Sequence, residues 1–396
     1  MQPSPSESPA RLTSIDAYRG FVMILMASGG FGIAQVARHY NESGFWQFLA
    51  HHTEHVPWAG CSLWDLIQPS FMFLVGVALP FSIANRQARG QSFGAMLGHA
   101  IWRAVALIFL GIFLRSVGRK MTYFTFEDVL TQIGLGYVFL FLLGWTKART
   151  QAIAAGLILF GYWLAFALYP LPPSGFDWSQ VGVPADWPHH PTGFAAHWDK
   201  NTNLAAAFDQ WFLNLFPREQ RFVYNGGGYL TLNFVPSLAT MIFGLLAGGL
   251  LRSAQPKEVK VKVLVGAGVA GLVVGWLLGW LGICPVVKRI WTPSWAIYAG
   301  GWTCLLLAAF YWSIDNRGWR RWAFPLVVVG MNSIMMYCMA NLTRGFFTDS
   351  LKTHLGQQFF QILGAPFEGM VRSIVLLVIW WLILFWMYRR RIFLRI

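Results

Sequence analysis

Three histidines and a glutamate stand together at His51, His52, Glu54 and His55, Trp58 follows three residues later, and Asp65 opens the apolar run behind them. An imidazole titrates near neutrality, so it can accept a proton from an attacking amine or hydroxyl, or attack an acyl carbon itself. A carboxylate at the mouth of an apolar segment is costly unless it has a partner, which makes Asp65 a functional candidate by default. The same stretch also reads as an interfacial loop in which Trp58 and Trp64 anchor at headgroup level. No CxxC pair or metal-ligand spacing accompanies it. His189, His190 and His197 are the nearest approach to one, and no metal is expected.

The elements that must hold these residues are membrane helices. The chain has 396 residues, 56% hydrophobic and only 12% charged, against about 45–50% and about 25% in soluble domains. An all-α polytopic membrane protein follows, with the lipid bilayer as its first partner. The net charge of +14 falls largely between apolar runs, where Lys and Arg set topology, so nucleic acid is excluded as a partner. Cys61, Cys284, Cys304 and Cys338 announce no disulfide framework. The first ten residues carry no charged segment leading into a short apolar one, so no cleavable signal peptide is expected.

Spans of about 20 apolar residues predict ten helices at about 18–37, 65–84, 100–117, 129–145, 152–169, 229–251, 263–283, 295–313, 322–341 and 369–388. They form one transmembrane domain over 1–396, with tails at 1–16 and 389–396. A loop over 171–228 follows the breaker Pro170-Leu171-Pro172-Pro173. Most of the Lys and Arg residues fall on one side when both termini are cytoplasmic. The long loop, His55, Lys288 and the segment 344–368 then face away from the cytoplasm. No internal repeat suggests the inverted halves of a transporter.

Other polar residues interrupt this apolar background. Asp16 and Arg19 lie three apart at the start of the first helix, paired with each other or shaping a cationic site for the phosphates of a cytoplasmic donor. Asn233 follows the glycine turn 226–228 and is expected to point into the bundle. Lys288, Arg289 and Trp291 sit on the side opposite the basic bias, where they suit a structural or substrate-binding role. Asn332 and Ser333 place an amide and a hydroxyl inside the ninth run, where such groups often bond between helices. Trp178, Trp187, Trp198 and Trp211 in the long loop are a set suited to stacking on sugar rings.

Four ordered motifs together resemble the heparan-alpha-glucosaminide N-acetyltransferase family and its bacterial relatives. They are Arg11-Leu-x-Ser-Ile-Asp16-x-x-Arg19-Gly20; His55-x-x-Trp58-x-Gly60 continuing to Asp65-Leu66-x-x-Pro69-x-Phe71-x-Phe73-x-x-Gly76; Lys288-x-x-Trp291-x-x-Ser294; and Gly330-Met331-Asn332-Ser333. The resemblance implies a membrane enzyme, placed in a bacterial inner membrane, that passes acetyl from cytoplasmic acetyl-CoA to an amino sugar or glycan outside. It also implies that His55 is the active-site histidine, as general base or acetyl carrier. Asp65 is then expected to orient the imidazole or hold an acceptor hydroxyl, and Asn332 and Ser333 to stabilise the oxyanion. Trp58, Asn233, Lys288 and Trp291 are expected around the acceptor, and Asp16, Arg19 and Arg103 around the donor's phosphates. This chain departs from the family's animal members at Ala27-Ser28, where they carry an asparagine, and in a longer stretch before His55. A membrane transporter for a sugar or lipid-linked saccharide is the competing reading, and the sequence leaves a homo-oligomer open.

Overall fold

Apolar runs of this length must satisfy their own backbone in lipid, and helices do so. The computed structural model describes residues 12–394; Arg11 and the outer parts of both tails lie outside the described residues. Among the described residues there is no strand, only one isolated bridge between Ala59 and Val287. Helices α1 (Thr13–Ser28) and α2 (Ile33–His39) form a broken first span, followed by a short α3 (Gly44–Thr53) that the hydropathy pattern did not announce. Helices α4 (Ile67–Ala88), α5 (Phe93–Ser116), α6 (Val129–Leu143) and α7 (Ala148–Ala167) come next, then α8 (Leu204–Phe212) inside the long loop. The chain continues through α9 (Phe234–Arg252), α10 (Lys257–Trp280), α11 (Pro293–Phe310), α12 (Phe324–Gly330), α13 (Ser333–Leu342), α14 (Arg344–Leu355) and α15 (Glu368–Arg389).

Each of the ten expected segments is helical, but they are not ten straight spans. Among the described residues, eight helices are long and apolar enough to cross a membrane; α12 and α13 make a ninth only as a pair bent by 78°. Helix α6 is shorter, 15 residues, because the Asp128 side chain caps its start at Leu130 N and it ends at Gly144. The first span, expected unbroken, turns left-handed over Gly29 to Gly32, where even Phe31 has φ 53°. Glycine permits this backbone, and a side chain at Gly32 would collide with the backbone of Gly369. The break frees the Ala27 carbonyl, which accepts from Arg344 Nη2 at 2.6 Å.

Buried shares of 67% for the apolar windows of α4 and α9, against 17% for α10, put α4 and α9 at the centre and α10 at the rim. Small residues bring the central helices together. A Cβ on Gly76 would lie 1.9 Å from the Met241 carbonyl, and one on Gly244 1.9 Å from that of Phe73. Gly20 and Gly330 join α1 to α12 in the same way. Three glycines of the ordered motifs thus act through packing. The long loop is tied down by aromatics: Trp58 and Trp198 are fully buried against Phe166 and Tyr162 of α7.

Candidate active site

A tight turn between α3 and α4 brings His55 onto Asp65. The imidazole Nδ1 lies 2.7 Å from Asp65 Oδ1. The other carboxylate oxygen, Oδ2, accepts from Ser62 Oγ (2.9 Å), Ser62 N (3.0 Å) and Val56 N (3.3 Å). With Oδ2 saturated and Asp65 1% exposed, Oδ1 is left to take the imidazole proton. Nδ1–H therefore donates to Asp65 and the lone pair lies on Nε2, an assignment from the hydrogen-bond network. Ser62, which supplies two of these donors, carried no signal in the sequence that separates it from any loop serine.

Lys288 completes the cluster from the loop between α10 and α11. Its Nζ lies 3.4 Å from Asp65 Oδ1, and 3.0 and 3.4 Å from the two imidazole nitrogens. Since Nδ1–H is directed at Asp65, the ammonium pairs with that carboxylate and lies against the ring, 3.0 Å from Nδ1 and 3.4 Å from Nε2. Burial draws the Lys288 ammonium down to about 8 in spite of Asp65. Burial also holds His55 below its ordinary value, aided by Lys288 and Arg289 and opposed by Asp65. A neutral imidazole beside a cation of tunable charge results. Cys61 is no competing nucleophile, because burial and Asp65 push its thiol up to about 12. The four cysteines are unpaired.

Trp58, Asn233 and Trp291 hold the cluster from behind and do not line its cavity. Trp58 donates to the Trp198 carbonyl (3.2 Å) and meets Trp187 edge-on. Trp291 is buried and donates to Thr240 Oγ1 (3.2 Å). Asn233 donates to the Arg289 carbonyl (2.7 Å), and Arg289 in turn bonds the carbonyls of Gly227 and Val56. Each of the three side chains is turned inward, where it fixes the 284–292 segment or the long loop. The loop tryptophans are likewise divided: Trp198 is fully buried, Trp211 exposed.

His55 and Lys288 open onto a cavity of about 500 Å³ at this end of the bundle, shared with Arg115, Glu127, Tyr229 and Arg344. A second cavity of about 480 Å³ lies toward the other end, between the start of α1, the end of α4 and the start of α5. Its wall carries Arg19, Arg86, Arg89, His99 and Arg103. The two cavities share Phe71, Val129 and Tyr337, which form a wall common to both inside the bundle. Arg19 also lies 3.5 Å from Asp16, which is buried; Arg103 donates to Tyr137 and stacks over its ring. Arg86 and Arg89, missed in the sequence as ordinary topology-setting cations, are part of this cationic wall.

Asn332 and Ser333 are not beside His55. Ser333 lines the cationic cavity, and Asn332 donates to the Ile392 carbonyl (2.9 Å) and accepts from Leu394 N (2.9 Å). The bend between α12 and α13 uses the Asn332 amide to hold the chain after α15. Lys288 is the cation near the imidazole. Among the described residues, no group of three or more His, Cys, Asp or Glu is arranged to hold a metal ion.

No protein-family model matches the chain. Heparan-alpha-glucosaminide N-acetyltransferase of Homo sapiens is 24% identical over 432 residues, covering 99% of this chain and 61% of that protein. The protein of the same name from Mus musculus is 24% identical over 434 residues, covering 100% of this chain and 62% of its own length. The chain therefore spans about three fifths of the curated relatives it matches. With its apolar helices, this is an integral membrane protein that is a distant relative of heparan-alpha-glucosaminide N-acetyltransferase.

Proposed function

We propose that the protein transfers an acetyl group from acetyl-CoA, bound from the cytoplasm, to an amino sugar or glycan on the opposite face of the membrane. One observation carries this reading: a cationic cavity and the cavity of the His–Asp–Lys cluster lie toward opposite ends of the bundle, with Phe71, Val129 and Tyr337 as their common wall. Arg19, Arg86, Arg89 and Arg103 suit the donor's phosphates, since guanidinium groups bind phosphate oxygens in pairs. The thioester end then reaches past the shared residues toward His55. His55 acts as general base through Nε2, with Asp65 fixing the tautomer and Lys288 placed to stabilise charge on the thioester oxygen or the leaving sulfur.

The N-terminal end is cytoplasmic and the membrane is the bacterial inner membrane, with a cell-wall or capsule sugar as acceptor. Transfer of radiolabelled acetyl in proteoliposomes, with glucosamine outside, tests the reading. Wild type transfers label and His55→Ala does not; label retained on the wild-type protein identifies an acetyl-histidine step. A wild-type protein that neither binds acetyl-CoA nor transfers acetyl sinks the proposal. The transporter reading has one observation in its favour, the broken spans α1–α2 and α12–α13, since interrupted helices line transporter sites. It predicts sugar uptake without acetylation in the same vesicles.

A further inference from the structure

Two carboxylates, Glu127 and Asp128, line the His55 cavity, and their surroundings differ. Asp128 is buried and committed: it caps α6, accepts from Arg115 Nε (3.1 Å) and accepts from the Tyr337 hydroxyl (2.7 Å). Glu127, its neighbour in the chain, lines the cavity and accepts from the Asn225 side-chain amide. Groups face Glu127 from every side: Arg115 on α5, Asp209 on α8, Arg218 beyond α8, and Asp128 beside it. Tyr229 senses Glu127 and Asp65 together, and His55, Lys288 and Arg344 share the cavity wall. Desolvation pushes the Glu127 carboxyl up to about 7; Asp209 and Asp128 add to this, while Arg115 and Arg218 oppose it. A carboxyl that exchanges its proton near neutrality thus shares one cavity with a neutral imidazole.

Making an amide from an amine requires the removal of two protons. The amine arrives as an ammonium without a lone pair, so one proton must leave before attack and the other during it. His55 has one basic nitrogen. Resting on the acetyl-transfer reading above, we infer that Glu127 is a second catalytic acid–base residue, which binds the acceptor's ammonium and takes its first proton.

The ammonium gives a proton to the Glu127 carboxylate, and the freed nitrogen lone pair attacks the thioester carbon to form the C–N bond. His55 Nε2 takes the second N–H proton. The C–S bond then breaks with its electron pair on sulfur, and the thiolate takes the proton back from the imidazolium. Glu127 returns its proton to water on the acceptor side. The sum is ammonium plus thioester giving amide, thiol and one released proton.

The test compares the full-length protein with Glu127→Gln and Glu127→Asp in proteoliposomes, with acetyl-CoA and glucosamine as probes. Glutamine keeps an oxygen to accept from Asn225 but cannot take the proton. Glu127→Gln is expected to lose roughly 100-fold in kcat near pH 6.5, the scale of one acid–base group. It should recover to within about fivefold near pH 9, where an amine with a pKa near 8 arrives mostly unprotonated. Glu127→Asp should keep the acidic limb at a reduced rate, and KM for acetyl-CoA should stay within about twofold of wild type in both, since their change lies outside the cationic cavity. An equal loss at every pH, or no loss, overturns the inference and leaves acetyl transfer standing. A folded wild type that transfers no acetyl overturns the transfer reading and the inference with it.

Discussion

Asp65→Asn changes one atom, and the surroundings of the carboxylate decide where that atom goes. Oδ2 is met by two backbone N–H groups and a serine hydroxyl, at 2.9 to 3.3 Å. An amide NH2 placed there would face donors, so the asparagine must put its oxygen at the Oδ2 position and its NH2 toward His55 Nδ1. The imidazole can meet that NH2 only by offering a lone pair at Nδ1, which moves its hydrogen to Nε2 and removes the base from the cavity. Elsewhere, the same inversion of tautomer in a Ser-His-Asp site costs about 10⁴ in kcat, and a loss of ~10³–10⁴ is expected here. The amide also faces the Lys288 ammonium that Asp65 Oδ1 had met at 3.4 Å. Because burial already holds Lys288 at about 8, the lysine sheds its proton rather than disrupting the fold, and a stability cost of about 1–3 kcal/mol is expected. The assay is single-turnover acetyl transfer beside acetyl-CoA binding to the same preparation. Binding should stay within about twofold of wild type, since the change lies outside the cationic cavity. A variant that keeps more than a tenth of wild-type kcat would refute the tautomer argument, and one that loses donor binding would refute the division of the two cavities.

Lys288→Met removes a charge that holds the His55 imidazole down, so with a hydroxyl acceptor the acidic limb of kcat should move to higher pH; an unmoved limb in the pH–rate profile tells against the contact. Arg86→Ala and Arg89→Ala should each raise KM for acetyl-CoA by ~10–100-fold, the scale of a charge-assisted phosphate bond, with less effect on kcat and a weaker salt dependence. Glu127→Gln should stabilise the protein above pH 7. The folded carboxyl titrates near 7 against an ordinary 4.5, so the folded state binds the extra proton between those values and wild-type stability falls as pH rises through that window. Removing the group should recover on the order of 2–3 kcal/mol above pH 7 and nothing below about 4.5, read as a melting-temperature difference that closes on acidification. Gly244→Leu should abolish folded yield, because its Cβ already falls inside the Phe73 carbonyl; a normal melting profile would refute the α4–α9 contact.

The fold was legible because lipid imposes a single rule on length and polarity, and that rule applies residue by residue along the chain. It failed where a span is interrupted from outside. Gly29, Gly30 and Gly32 permit a left-handed turn, but nothing local shows that the freed carbonyl meets Arg344, some three hundred residues away. Of the site, the His55–Asp65 spacing was legible as two polar groups around one turn, and Lys288 as a cation on the wrong side. Asn332 was placed at the reaction centre by its chemical type, yet its amide is used to hold Ile392 and Leu394. Glu127 carried no signal in the sequence, because a carboxylate's exposure is set by tertiary packing. Its difference from Asp128, one residue away, exists only once Arg115, Tyr337 and Asn225 have converged.

That difference also bears on why an enzyme fits this cavity better than a carrier. In a carrier, ionisable groups within the bundle line a substrate or ion pathway near the midplane. Asp65 is arranged differently. It is buried, takes three donors on one oxygen and the imidazole on the other, and is held in place by a turn that Trp58, Asn233 and Arg289 lock to the long loop and to α9. Such a carboxylate fixes a proton's location and gains nothing from motion, which is the requirement of general-base chemistry. The mobile task falls to groups on the cavity wall, Glu127 and Lys288, whose protonation changes near neutrality. On the acetyl-transfer reading, the rigid dyad and the two titrating neighbours separate orientation from proton exchange.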